Sequence, residues 1–372
     1  MTPDAVPSSA ERTAVTERLR AEIEAAFERV AREEDFSGVV RVHRGAEVLL
    51  ERASGVASRR WGVPVAASTR FDTASVTKLF TAVAVLQQVD AGALDLDASI
   101  GTWVPLAGTE ISEAVTLRHL LAHTSGLADD ADEEAGESYE ALWADTPSYA
   151  VTTTADFLPT FAHKPARAEP GTDCRYCNVA YLLAGLAVEA VTGQTYRDYV
   201  REHVFGPAGM DRAGFFDMRE AEPDVAEGWE PVHDAAGGLT GWRQNIYSYP
   251  PIGSPDSGAH VSARDLTTFL DAVRSGRLLS AESTRAFFSP QALHHEEEGY
   301  SVHFGFGLEI EVFPDGSVRS FGKDGINVGA SAYLRWYPAL DVTVALLSNT
   351  QAGVWAPMGA IDAAVMSVAA DA

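Results

Sequence analysis

Apolar positions change their period four times along this chain, beginning and ending helical with two strand-like stretches between. Between Ala10 and Glu34 they recur at helical spacing, with Leu19, Ile23, Ala26, Phe27 and Val30 on one stripe. Two short apolar runs follow, Val39, Val40 and Val42 in one and Val48, Leu49 and Leu50 in the next, with His43-Arg44-Gly45-Ala46-Glu47 as the turn. The strand pattern returns over Phe304–Val312, Val318–Phe321, Ala330–Trp336 and Val342–Leu347, punctuated by Pro314-Asp315-Gly316 and Pro338-Ala339-Leu340-Asp341. A last helical pattern covers Pro357–Ala369. The middle reads as helical over Thr116–Ala122, Thr154–Ala162, Val179–Val191, Tyr196–Val204, Ala263–Ser275 and Glu282–Phe288. These patterns predict an α/β (α+β) fold, with one antiparallel sheet built from both termini, flanked by helices, and an inserted, mostly helical lobe. Residues 1–105 and 300–372 would form the sheet lobe and residues 106–299 the helical lobe, with an active site in the cleft between them.

One predicted helix has no polar face. Residues 74–89, ASVTKLFTAVAVLQQV, are apolar nearly all round, so this helix is buried, with Thr73 as its cap and Gly92 past its end. Ser75 falls in the first turn, where unpaired N–H groups favour a developing negative charge. Lys78, three residues on, shares its face. No acid stands among its helical neighbours Ala74, Thr81 and Ala82. Burial without a carboxylate lowers a lysine pKa and suits a general base. Composition sharpens the point: of 28 basic residues only Lys78, Lys164 and Lys323 are lysines, and Arg stays charged at any accessible pH. A second S-x-x-K, Ser320 to Lys323, lies in a strand pattern, where an offset of three puts the side chains on opposite faces.

Tyr176-Cys177-Asn178 precedes the apolar helix Val179–Val191. Asn178 reads as an ordinary N-cap and Tyr176 as a packed aromatic, or as an amide donor to a substrate and a phenolic proton shuttle. Lys323-Asp324-Gly325 lies on a strand. Taken in order, S-x-x-K, Y-x-N and K-x-G resemble the three motifs of the serine β-lactamase and penicillin-binding superfamily, in its class C-like branch of esterases, D-amino-acid peptidases and related hydrolases. Leu120-Leu121-Ala122-His123-Thr124-Ser125-Gly126-Leu127, Phe205-Gly206-Pro207-Ala208-Gly209-Met210 and the segment Ser257–Leu266 are similar to framework motifs of that branch, and the likeness runs from about residue 36 to residue 350. His123 belongs to such a framework motif and is expected to be architectural.

The resemblance implies a two-step acyl transfer. Ser75 would be the nucleophile, and Lys78 with Tyr176 would take its proton and return one to the leaving group. Asn178 and Lys323 would face the substrate, with Lys323 supplying positive potential, and the backbone N–H groups of Ser75 and Ile326 would form the oxyanion hole beside Gly325. Two departures stand out. Asp324 replaces the Thr or Ser that binds a substrate carboxylate in relatives acting on β-lactams or D-Ala peptides, and Cys177 replaces a Ser. An anion beside Lys323 repels a carboxylate, so the expected substrate is a small neutral or ammonium-bearing ester or amide, handled by an esterase-like serine hydrolase. The alternatives are a class C-type β-lactamase, a D-aminopeptidase or acyltransferase, and a stalled acyl-binding protein.

A net charge of −25 disfavours nucleic acid and anionic membranes as partners, leaving a small-molecule substrate. The acid runs Asp129–Glu134 and Glu296–Glu298 read as solvated loops. Cys174 and Cys177 form a lone C-x-x-C, read as two packed thiols, and no cofactor or metal is expected. No apolar run is long enough to span a bilayer and the first 30 residues lack a secretory pattern, so a cytoplasmic location is expected.

Overall fold

The computed structural model describes residues 9–33 and 35–371. The two N-terminal apolar runs pair as a hairpin, β1 (Gly38–Arg44) and β2 (Glu47–Ser54). Six further strands come from the last third of the chain: β3 (Ala292–Glu297), β4 (Tyr300–Phe304), β5 (Glu309–Val312), β6 (Val318–Asn327), β7 (Ala330–Tyr337) and β8 (Val342–Ser348). Together they form one eight-stranded sheet in the order β2-β1-β8-β7-β6-β5-β4-β3, and every pairing in it is antiparallel. Its two halves meet where β1 pairs with β8, Gly38 opposite Ser348 and Arg44 opposite Val342. The sheet is thus built from both ends of the chain, as the patterning predicts.

Successive side chains of a strand point to opposite faces, and β8 shows the consequence. Val344 and Leu346 pack under α1 (Ser9–Glu33) and α5 (Trp355–Ala370), against Ile23, Phe27, Ile361 and Val365. Ala345 and Leu347 join the larger core on the other face, with α2 (Thr77–Asp90), α3 (Val179–Thr192) and α4 (Ala263–Arg274). Every residue of α2 from Thr77 to Leu86 is buried. Phe80 meets Phe205 and Phe269 edge-on, with ring centroids 4.9 and 4.8 Å away. Emptying such a site costs roughly 3–5 kcal/mol, so the helix that carries Lys78 and follows directly on the Ser75 turn is anchored by its own core.

Three features depart from the sequence reading. The expected strand Phe304–Val312 is two strands, β4 and β5, because Gly307 turns the chain at φ +83°. There a Cβ would come within 3.1 Å of the Lys78 carbonyl oxygen, so only glycine lets this turn sit on α2. The mostly helical middle also holds a hairpin, Trp229–His233 with Leu239–Gln244. Glu296 and Glu297 are exposed, but they belong to the edge strand β3 and not to a loop. The N-terminal helix is described to Glu33; its expected last residue, Glu34, lies outside the described residues. Among the described residues no helix is long and apolar enough to cross a membrane.

Candidate active site

Ser75 sits on a turn held from two sides. The chain runs from Phe71–Asp72 through a 3-10 turn, Ala74–Val76, into α2. Thr73 does not cap the helix; its hydroxyl donates to the Ala259 carbonyl at 2.9 Å. Asp72 takes over locally, with Oδ1 accepting from the Ala74 N–H at 2.7 Å. Ala74 itself has φ +44°, a left-handed conformation that costs a non-glycine residue about 1–3 kcal/mol. Gly325 on β6 explains how it is held. A Cβ at Gly325 would lie 2.8 Å from the Ser75 nitrogen and 3.1 Å from the Ala74 Cβ, and closer still to the Thr73 carbonyl oxygen. The glycine of the third motif is therefore a contact requirement, pressing β6 against the nucleophile turn. Ile326 follows Gly325 on the same strand and is 38% exposed.

Lys78 is fully buried, and its amine nitrogen lies within hydrogen-bond distance of three uncharged groups. Nζ lies 3.0 Å from Ser75 Oγ, 2.7 Å from Asn178 Oδ1 and 2.8 Å from the Asp256 carbonyl oxygen. Burial pushes its pKa below the ordinary lysine value, against the opposing charges of Asp256 and Glu133 and with the help of Lys323. Tyr176 Oη approaches Ser75 Oγ from another side at 2.7 Å. Burial and then Glu133 hold this phenol well above its usual pKa, so it carries its proton at neutral pH. Its ring stacks on His123, centroid to centroid 4.6 Å. His123, at φ +56°, accepts the Cys177 N–H through Nδ1 at 3.0 Å. Burial holds the His123 imidazole neutral. The histidine thus packs under the second motif and makes no direct bond to Ser75 or Lys78.

Asn178 is not a helix cap. Its backbone is already helical, and its side chain bridges Lys78 and Glu133, with Nδ2 donating to Glu133 Oε1 at 2.9 Å. The start of α3 is capped by Asp129, which accepts from the Asn178 and Val179 N–H groups at 2.8 and 3.0 Å. The head of the acid run 129–134 is therefore not solvated, whereas Glu133 and Glu134 are exposed as expected. Asp129 and Asp130 are 7% and 2% exposed, and Asp132 and Glu134 pair with Arg175 at 2.5 and 3.4 Å. The physical reason is the helix end: its unpaired N–H groups and positive dipole draw carboxylates inward. Burial still raises Asp129 to about 6, despite those bonds. Asp130 is held well above the carboxylate range by burial and by Asp129, and its Oδ2 has no partner.

Lys323 lies over the Tyr176 ring, 4.9 Å from its centroid. Its ammonium pairs with Glu309 at 2.5 Å and with Asp324 at 3.5 Å. Burial opposes its charge, but Glu309 and Asp324 outweigh burial and keep Lys323 protonated. The expected positive potential is thus offset by two carboxylates, one of which, Glu309, the sequence reading missed. Its signal was a pair of acids alternating with apolar residues in a strand segment, Leu308-Glu309-Ile310-Glu311-Val312. The other S-x-x-K copy does not form a pair: Ser320 Oγ bonds Glu311 at 2.6 Å. Cys174 and Cys177 are free thiols; burial raises Cys174 to about 11 and Cys177 well above the thiol range. Among the described residues no group of three or more His, Cys, Asp or Glu side chains is placed to hold a metal.

A buried serine between an amine and a phenol, set against an interior strand of an antiparallel sheet, is the arrangement of a serine hydrolase of the β-lactamase fold. The chain belongs to the Beta-lactamase family, whose model matches residues 23–365. It is 30% identical over 325 residues to "Penicillin-binding protein 4" of Amycolatopsis lactamdurans, covering 81% of this chain and 77% of that one. To "Esterase EstB" of Burkholderia gladioli it is 31% identical over 368 residues, covering 89% and 91%. The crystal structure of a penicillin binding protein from Bacillus halodurans superposes with a TM-score of 0.84 at 33% identity, covering 91% of this chain and 99% of that one.

Proposed function

We propose that this protein is an esterase-like hydrolase that forms an acyl-enzyme on Ser75 with small esters or amides that are neutral or carry an ammonium group. The observation that carries this reading is Ser75 Oγ, 3.0 Å from a buried Lys78 amine with only uncharged acceptors and 2.7 Å from a protonated Tyr176. Lys78, as the free amine, takes the Ser75 proton while Oγ attacks the carbonyl carbon. The oxyanion that forms is met by the backbone N–H groups of Ser75 and Ile326. When the tetrahedral adduct collapses, Tyr176 gives its proton to the departing alkoxide or amine, and the Lys78 ammonium restores it. Water then attacks the acyl carbon by the same route in reverse and frees Ser75. Asn178 orients both Lys78 and the substrate.

The electrostatics favour the substrate class. Glu309 and Asp324 flank Lys323, and the exposed Glu133 carboxylate lies against Asn178. A substrate carboxylate would meet these three acids, whereas a neutral or ammonium-bearing ester meets no such repulsion. Similarity across most of its length to a protein named as an esterase supports the same choice. Initial rates on a short-chain p-nitrophenyl ester and a chromogenic cephalosporin, with Ser75→Ala alongside, test the reading. Ester turnover that vanishes in Ser75→Ala, with slow cephalosporin turnover, is expected. Fast cephalosporin turnover would make the protein a β-lactamase and overturn the role given to Asp324.

A further inference from the structure

One histidine outside the reactive cluster reaches Tyr176 by two routes. His294 lies on the edge strand β3, which pairs with β4. There His295 faces Val302 and Leu293 faces His303, so His294 is an extra residue with no counterpart on β4. Such a bulge re-aims a side chain, and bulges gather beside active sites. Here the His294 ring is turned inward, its side chain 23% exposed, while Leu293 and His295 on either side are exposed.

The first route is a hydrogen bond. Glu134 Oε1 accepts the Tyr176 backbone N–H at 2.9 Å and also lies 3.2 Å from His294 Nε2. A carboxylate has no hydrogen to give, so His294 Nε2 is the donor. His294 Nδ1 then accepts from His295 Nδ1, 2.9 Å away, and His295 Nε2 lies 3.3 Å from Glu297. Arg175 pairs with the other Glu134 oxygen at 3.4 Å, so both ends of this carboxylate are held. The second route is a column of rings. His294 stacks on Phe304 with centroids 4.4 Å apart, Phe304 meets His123 at 4.6 Å, and His123 stacks on Tyr176 at 4.6 Å. Phe304 and His123 are both buried, so the column is close-packed and passes on a shift of its outer ring. One route ends on the Tyr176 backbone and the other on the face of its ring.

From this geometry we infer that His294 is a positioning residue for Tyr176, acting through Glu134 and Phe304 to hold the phenol where it protonates the departing group. The inference rests on the proposed hydrolase reading for the step that is served. A p-nitrophenolate leaves without a proton, whereas an alkoxide takes one from Tyr176 Oη as its C–O bond breaks. Lost positioning must therefore show as a dependence on the leaving group, which a general loosening of the fold does not produce. The test is kcat/KM on the p-nitrophenyl and ethyl esters of one acid, for the parent, His294→Ala and His294→Gln. His294→Ala should lose about tenfold more on the ethyl ester than on the p-nitrophenyl ester, a part of the roughly 10²–10⁴-fold that general acid catalysis supplies. His294→Gln, whose amide donates to Glu134, should recover most of that loss. Equal losses on both esters, no loss, or no recovery with Gln overturns the inference. The placement of the phenol is also read without turnover, by NMR of protein carrying tyrosine labelled at Cζ, with the Tyr176 line assigned by Tyr176→Phe. That line should move in His294→Ala and return in His294→Gln. An unmoved line overturns the inference even if the protein hydrolyses no ester.

Discussion

Asp129 and Asp130 stand next to each other in the chain, yet they play different parts. Asp129 caps α3 with both oxygens, while Asp130 receives one N–H and leaves its other oxygen bare. Both are raised by burial, Asp129 to about 6. A carboxyl with a raised native pKa binds its proton more tightly in the folded state than in the unfolded chain. Its contribution to stability is complete below the unfolded pKa, about 3.9, and is lost as pH climbs through the native value. Asp130→Asn keeps the accepting oxygen and removes the ionisation. Thermal melts should show the variant more stable than the parent at about pH 8, by about 1–3 kcal/mol, and little changed at about pH 4. A variant equally destabilised at both pH values would remove the unpaired-carboxylate account. At this scale the juxtaposition of the candidate trio was legible because residue type and spacing carry chemistry: Ser75, Lys78 and Tyr176 meet in the fold. The acids were not. A run such as Asp129–Glu134 looks solvated by composition, and only the start of α3, about 50 positions further on, shows why Asp129 at its head is buried.

Elements deliver these residues through close backbone contact. The turn before α2 and strand β6 meet at Gly325, where a Cβ would fall 2.8 Å from the Ser75 nitrogen. Gly325→Ala should therefore separate the Ser75 N–H from β6. A fall in kcat of about a hundredfold or more is expected, as for loss of an oxyanion donor, with far-UV circular dichroism and KM for a small ester little altered. Parent-like kcat would show that the contact is dispensable. Long periodic elements were read closely: the expected Val179–Val191 and Ala263–Ser275 are α3 (Val179–Thr192) and α4 (Ala263–Arg274). Where backbone conformation departs from the pattern, the reading failed. The predicted single helix from Ala74 is a 3-10 turn followed by α2, because Ala74 is left-handed. The hairpin Trp229–His233 with Leu239–Gln244 escaped notice because Val232 and Leu239 are exposed, leaving no alternating apolar face to detect.

In the whole molecule the reactive cluster draws on residues 75–78, 176–178, 256, 309 and 323–325, which only the completed fold assembles. The sheet that supports β6 requires β1 to find β8, at opposite ends of the chain. That closure was legible because strand patterns occur at both ends with helices between them. What patterning lacks is the electrostatic balance of the interior. Glu309 and Glu133 come from a strand and a loop with no local sequence tie to the motifs, and together with Asp324 of the third motif they give the account its substrate class. The central claim remains the chemistry at Ser75, that a neutral Lys78 lets this hydroxyl take up an acyl group. The most direct measurement is intact-mass and peptide analysis after acid quenching of a p-nitrophenyl ester reaction, for the parent and Lys78→Arg. The account predicts one acyl group on the peptide containing Ser75 in the parent, and none in Lys78→Arg, whose guanidinium cannot accept the proton. An acyl group found elsewhere in the parent, or equal labelling of Ser75 in Lys78→Arg, would contradict it.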